Sequence, residues 1–315
     1  AVGRPSARNL DELSIIVNKI ISYETDPHLL DDDGNDDSAW LRKAALLAND
    51  QQTGYSAIFV NRWLRKMLLE TGFNEVDTLY FTSDPTQQDC HDYMERNLNE
   101  GIAMFNYRGW GQFNGAWAYN DAERLENVGK WPFMVLPTCN TGDYADHVLN
   151  EFGYTENFVW VEGGGIGALG SSGFTHTNYN NVLCGGIQNG LFRDNNWHFG
   201  WALNQGKMEL YRHFGMFNDV QDPQVDALLV WEAHAYQFNL IGDPATQMWT
   251  DIPTPLNVDY SETISLGDNR ITVVVTDAEN NPVSDVDVTL VRDLEIIRIH
   301  STDPEGVVEF TFIPG

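Results

Sequence analysis

The feature that most constrains this chain is a change of hydrophobic period near residue 253. Before it, short apolar runs alternate with longer stretches of helical spacing. After it, apolar residues recur every second position. The first pattern calls for a mostly parallel sheet with helices on both faces, and the second for an antiparallel β module. The helical stretches are Asn9–Tyr23 (capped by Asn9 or Ser6), Tyr55–Glu70 ended by Gly72, Pro85–Glu100 ended by Gly101, a short Ala122–Gly129, and then Tyr179–Leu191, Trp201–Phe214 and Asp222–Leu240. Strands are expected at Ala44–Ala48, Val76–Thr82, Ile102–Tyr107, Pro132–Pro137 and Ile166–Gly170. We therefore expect an α/β domain over residues 1–252. A sandwich-like β module over 253–315 follows, with too few strands to be complete.

In an open parallel sheet, chemistry sits beyond the carboxyl ends of the strands. Two glycine-bearing loops fall there, Asn106-Tyr107-Arg108-Gly109-Trp110-Gly111 and Thr138-Cys139-Asn140-Thr141-Gly142. Cys139 enters its turn straight from an apolar strand, where backbone N–H groups can stabilise a thiolate or an oxyanion. A small buried hydrophobe is the competing reading of the same thiol. The other cysteines are Cys90 and Cys184, an odd total of three and too few for a disulfide scaffold. A cysteine nucleophile needs a base. None of the eight histidines shares a short motif with Cys139.

Four segments resemble the gingipain-like cysteine peptidases, in matching order and spacing: Met104–Gly111, Trp131 through Cys139-Asn140-Thr141-Gly142-Asp143, Cys184–Phe192, and Asn239-Leu240-Ile241-Gly242-Asp243-Pro244. The resemblance covers roughly residues 1–250 and implies a caspase-like fold followed by an immunoglobulin-like module. It implies a secreted or cell-surface cysteine endopeptidase acting on protein or peptide, with no cofactor required. Cys139 lies on the nucleophile position, and the N–H groups of Cys139 and Gly111 lie where such folds build an oxyanion hole. Residues from Ser171 through Thr175 to Tyr179, together with Trp110, would border the substrate pocket. The opening Ala1-Val2-Gly3-Arg4 resembles a point part-way into the family's catalytic region, so a longer precursor is expected.

One position departs from the family. Its general base is a histidine between two glycines, and Gly109-Trp110-Gly111 carries tryptophan there. Indole has no basic nitrogen. Either the chain is a pseudo-peptidase serving as a binding or structural module, or another group supplies the base. His176 is the best substitute and His147 a weaker one. Asp50 is the nearest match to the acid that orients the family's histidine.

Three further features complete the reading. Asp31, Asp33, Asn35 and Asp37 alternate along an acidic loop, as ligands for a structural Ca²⁺ would, although Gly34 and Arg42 break the EF-hand pattern. A solvated acidic turn fits equally. Trp110, Trp117, Tyr119 and Trp131 crowd one stretch, as core or as a recognition surface. With 46 acidic against 18 basic side chains the net charge is −28, which opposes nucleic acid and anionic lipid as partners. No apolar run is long enough for a membrane span.

Overall fold

A computed structural model describes residues 2–50, 53–82, 87–109, 117, 121–144, 153–216, 221–223, 228–263, 270–292 and 295–311. The chain divides into two compact units, Ala1–Ile252 and Pro253–Gly315.

The first unit follows the alternation. α1 (Leu10–Thr25) begins where the Asn9 side chain accepts the Glu12 N–H. β1 (Lys43–Asn49), α2 (Ser56–Glu70), β2 (Glu75–Phe81), α3 (Gln87–Glu100), β3 (Met104–Arg108) and β4 (Phe133–Leu136) follow in order. The remaining elements are α4 (Tyr154–Trp160), β5 (Gly167–Ser171), α5 (Thr177–Phe192), α6 (Phe199–Phe214), α7 (Val230–Gln237) and β6 (Phe238–Ile241). The sheet runs β2-β1-β3-β4-β5-β6, parallel from β2 to β5, with β6 antiparallel to β5.

Strand alternation builds two cores. Leu46, Met104, Phe133, Val135 and Leu169 join the face covered by α2, α5 and α6. Leu47, Phe105, Met134, Leu136 and Ala168 join the face covered by α1, α3 and α4. Central strands buried on both sides must be apolar throughout, which is why they read as continuous runs. The α5–α6 contact depends on glycine: a Cβ on Gly186 would stand 2.8 Å from the Gly206 Cα.

Three expectations change. The stretch expected to be one helix over Asp222–Leu240 becomes strand from Phe238, because Phe238, Leu240 and Ile241 complete the sheet against β5. A short, largely apolar stretch such as Phe238–Ile241 satisfies either period, and sheet pairing decides. Ala122–Gly129 is only a 3-10 turn at Asp121–Arg124, and Gly129 sits at φ 87° in a separate turn closed by the Lys130 N–H on the Asn127 carbonyl. The sequence reading assigned no element to α4, whose seven residues are all buried.

α4 is held by an unusual contact. Lys19 of α1 is 3% exposed, and burial pulls its ammonium well below the ordinary lysine range. Its Nζ donates to the carbonyls of Gly163 (2.6 Å), Val161 (2.9 Å), Phe158 and Val159 (both 3.4 Å). The Phe158 carbonyl also accepts the Gly165 N–H (2.7 Å), and the others lie at and just beyond the end of α4, so the ammonium caps that helix from another element. Lys19→Ala would take away the donor that the Val161 and Gly163 carbonyls share. A loss of about 3 kcal/mol is expected, read as a lowered urea midpoint. An unchanged midpoint would show that solvent replaces the cap.

In the second unit, β7 (Asn257–Tyr260), β8 (Arg270–Thr276) and β11 (Val307–Thr311) form one antiparallel sheet, ordered β11-β8-β7. β9 (Asp287–Arg292) and β10 (Glu295–Ser301) form a second. Val273, Val275, Val308 and Phe310 make its core, with Val288 and Leu290 of β9 packed on it.

Candidate functional site

β4 and β5 deliver the site. Beyond Leu136, the Thr141 hydroxyl donates to the Leu136 (2.7 Å) and Thr138 (3.1 Å) carbonyls and closes a tight turn around Cys139. Asn140 takes the left-handed conformation at φ 54°, which asparagine tolerates better than most residues. The turn is zipped onto the segment after β5: the Asn140 N–H donates to the Gly173 carbonyl (3.1 Å) and the Gly142 N–H to the Ser171 carbonyl (2.9 Å). Gly142 permits this approach, since a Cβ there would lie 2.7 Å from the Gly170 carbonyl carbon.

The Cys139 thiol is half-buried against Thr175. Its Sγ lies 3.3 Å from the Thr175 carbonyl, accepts the Thr175 N–H at 3.2 Å, and is 3.5 Å from the Thr175 hydroxyl. Asn180 fixes that hydroxyl at 2.8 Å. Among the described residues, the Cys139 N–H finds no acceptor, which leaves it able to bind an oxyanion. Cys90 and Cys184 are buried, and burial pushes each thiol up to about 11.

No histidine nitrogen hydrogen-bonds the Cys139 sulfur among the described residues. Trp110, Gly111, Tyr119 and His147 lie outside those residues. His176 is exposed, next to Thr175, and its ring centroid is 5.5 Å from that of His234. Ser171 is fully buried, its hydroxyl donating to the Gly173 carbonyl at 3.0 Å. Tyr179 stacks between Phe214 (4.1 Å) and His234 (4.6 Å). Asp50 stands at the end of β1, its N–H on the Phe81 carbonyl. Trp117 and Trp131 are core residues.

His234 is the residue that reading the sequence missed. Its Nδ1 meets the Val230 carbonyl at 2.6 Å, and its Nε2 accepts the His176 N–H at 2.7 Å. Those bonds require the neutral Nδ1–H tautomer. It therefore ties α7 to the segment carrying Thr175. Burial pulls His234 down to about 4. No local signal marks this role, because its partner is a backbone N–H 58 residues away. The lowered value means that the unfolded chain binds the proton first as pH falls. The contribution is complete above about 6.5 and is lost progressively towards pH 4, a difference of about 3 kcal/mol. Urea unfolding at pH 7 and 4.5 should show a smaller acid loss in His234→Gln than in the native chain. Equal losses would remove His234 as the source.

The acidic loop is satisfied internally. The Asp31 carboxylate accepts the N–H groups of Asp33 (3.0 Å) and Asn35 (2.8 Å) and the Asn35 amide (3.0 and 3.2 Å). The Asn35 side chain is the main reason that Asp31 sits below the ordinary carboxylate range. Asp37 turns to His28 Nε2 (2.8 Å) and Lys130 Nζ (2.5 Å). The Asp37 carboxylate is thus already shared between an imidazole and an ammonium. Among the described residues, no group of three His, Cys, Asp or Glu is placed to hold a metal. The thermal midpoint should be the same in EDTA as in millimolar Ca²⁺. A fall in EDTA would support the calcium reading.

A cysteine-bearing turn at the carboxyl edge of a six-stranded, mostly parallel α/β sheet goes with a caspase-like fold. The model of peptidase family C25 matches residues 1–249, and the chain belongs to that family. Among solved structures it is similar to the Arg-specific cysteine proteinase gingipain R, with a TM-score of 0.77 and 17% identity over 98% of this chain and 68% of that one. The complex of Porphyromonas gingivalis RgpB pro- and mature domains matches with a TM-score of 0.76 and 17% identity, over 98% and 69% of the two chains. A structure described only as a protease matches with a TM-score of 0.71 and 15% identity, over 98% and 68%. No curated protein matches the chain. Among the described residues, no helix is long and apolar enough to cross a membrane.

Proposed function

We propose that this chain is the peptidase domain of a secreted or cell-surface protein, with Cys139 as the reactive thiol of a protein- or peptide-binding cleft. The C-terminal unit is its immunoglobulin-like companion. One observation carries the reading: the Cys139 sulfur is the half-buried thiol at a strand-end turn, beside an N–H with no acceptor among the described residues. In hydrolysis, Cys139 attacks the scissile carbonyl, the oxyanion accepts a hydrogen bond from the Cys139 N–H, the C–N bond breaks as a thioester forms on Sγ, and the thiol's proton ends on the leaving amine. Water then releases the acid. The N–H of Gly111 is the proposed second donor.

Trp110 supports a second reading, a pseudo-peptidase that holds peptide without turning it over. Loss of base catalysis costs about 10²–10⁴-fold. His176 is the proposed replacement base in the active form.

Mixed-sequence fluorogenic peptides, with Cys139→Ala as the blank, separate these readings. Cleavage that vanishes in Cys139→Ala supports the peptidase. Retained peptide binding without cleavage supports the pseudo-peptidase. If cleavage occurs, an unchanged rate in His176→Ala eliminates His176 as the base.

A further inference from the structure

Arg108 ends β3 and directly precedes Gly109-Trp110. Its side chain is 0% exposed. The guanidinium Nη1 donates to the Pro137 carbonyl at 2.6 Å, two residues before Cys139. Nη2 donates to the Thr177 carbonyl at 3.3 Å, two residues after the Thr175 that contacts the sulfur. Nε (3.2 Å) and Nη2 (2.5 Å) both reach the Asn181 side-chain oxygen. Every acceptor is neutral, and no carboxylate pairs with Arg108 among the described residues.

Burying an unpaired cation is costly, and carbonyl acceptors alone can be satisfied by a neutral amide. A full positive charge is therefore more than the tie between β4 and α5 requires. Arginine keeps that charge even where burial opposes it. Among the described residues, the titratable groups whose charge acts on it are Cys184 on α5, Tyr107 on β3 and Cys139 on the turn after β4. Cys184 and Tyr107 are buried, and burial pushes both up, so neither neutralises it near pH 7.

We propose that Arg108 is a positioning residue whose fixed charge favours the thiolate of Cys139, in the place of an imidazolium paired with the sulfur. The proton leaves to solvent, and the guanidinium stays bound to the two segments that hold the sulfur. The inference rests on Cys139 being the reactive thiol, but not on turnover.

The test is iodoacetamide alkylation of Cys139 in the full chain, read by peptide mass spectrometry at pH 7 and pH 10, with thermal midpoints alongside. Arg108→Gln should slow alkylation about tenfold at pH 7 and leave it within about twofold at pH 10. Arg108→Lys should recover most of the pH 7 rate. Asn181→Asp keeps the arginine and its bonds but cancels the charge, so it should also slow the pH 7 rate without lowering the midpoint. If Arg108→Gln fails to fold, Asn181→Asp decides. Unchanged rates at pH 7, or equal slowing at both pH values, would overturn the proposal. The expected pattern in a chain that cleaves no peptide would sink only the peptidase reading.

Discussion

Trp110→His is expected to raise Cys139-dependent peptide cleavage by about 10²–10⁴-fold, the range that a positioned general base contributes. The family resemblance puts the base between Gly109 and Gly111, and the indole found there cannot accept a proton. Imidazole at that position could take the thiol proton and return it to the leaving amine. The double variant Trp110→His/Cys139→Ala should be silent, which separates repaired catalysis from a contaminating protease. A folded Trp110→His chain whose Cys139 still alkylates but whose cleavage is no faster would show that the site lacks more than its base.

The second large effect concerns the three thiols. With Cys90 and Cys184 raised to about 11 by burial, each has about one thiolate in 10⁴ molecules at pH 7. Neither is open to reagent. Cys139 should therefore alkylate at least ~100-fold faster than either in the native chain. In 8 M urea the three rates should converge, because the difference belongs to the fold. Near-equal native rates would mean that Cys139 is no more available than a core cysteine, and the proposed nucleophile would fall with it.

Much of this was legible in the residues. Continuous apolar runs and period 3.6 marked most elements of the first unit, because a strand buried on both faces and a helix covering it leave different traces. The strand-end rule brought Cys139 forward before any coordinates. Where two periods fitted one stretch, as at Phe238–Ile241, only the vacant edge of β5 could choose. α4 left no trace because it is buried all round and so carries no amphipathic pattern. The surroundings of the acidic loop were not legible for a different reason: spacing shows which carboxylates are near in sequence, whereas the Lys130 partner of Asp37 lies 93 residues away.

What the sequence alone determined is the class of fold and the division near residue 253, and it brought Cys139 and Trp110 forward as the positions to test, since each follows from local pattern and residue chemistry. What tertiary structure decided is every long-range partner: Thr175 on the sulfur, His234 behind His176, Lys19 over the end of α4, and the uncompensated Arg108 beneath the Cys139 turn. Those contacts join segments tens to more than a hundred residues apart. Their energies depend on burial and direction, which exist only once the chain has folded.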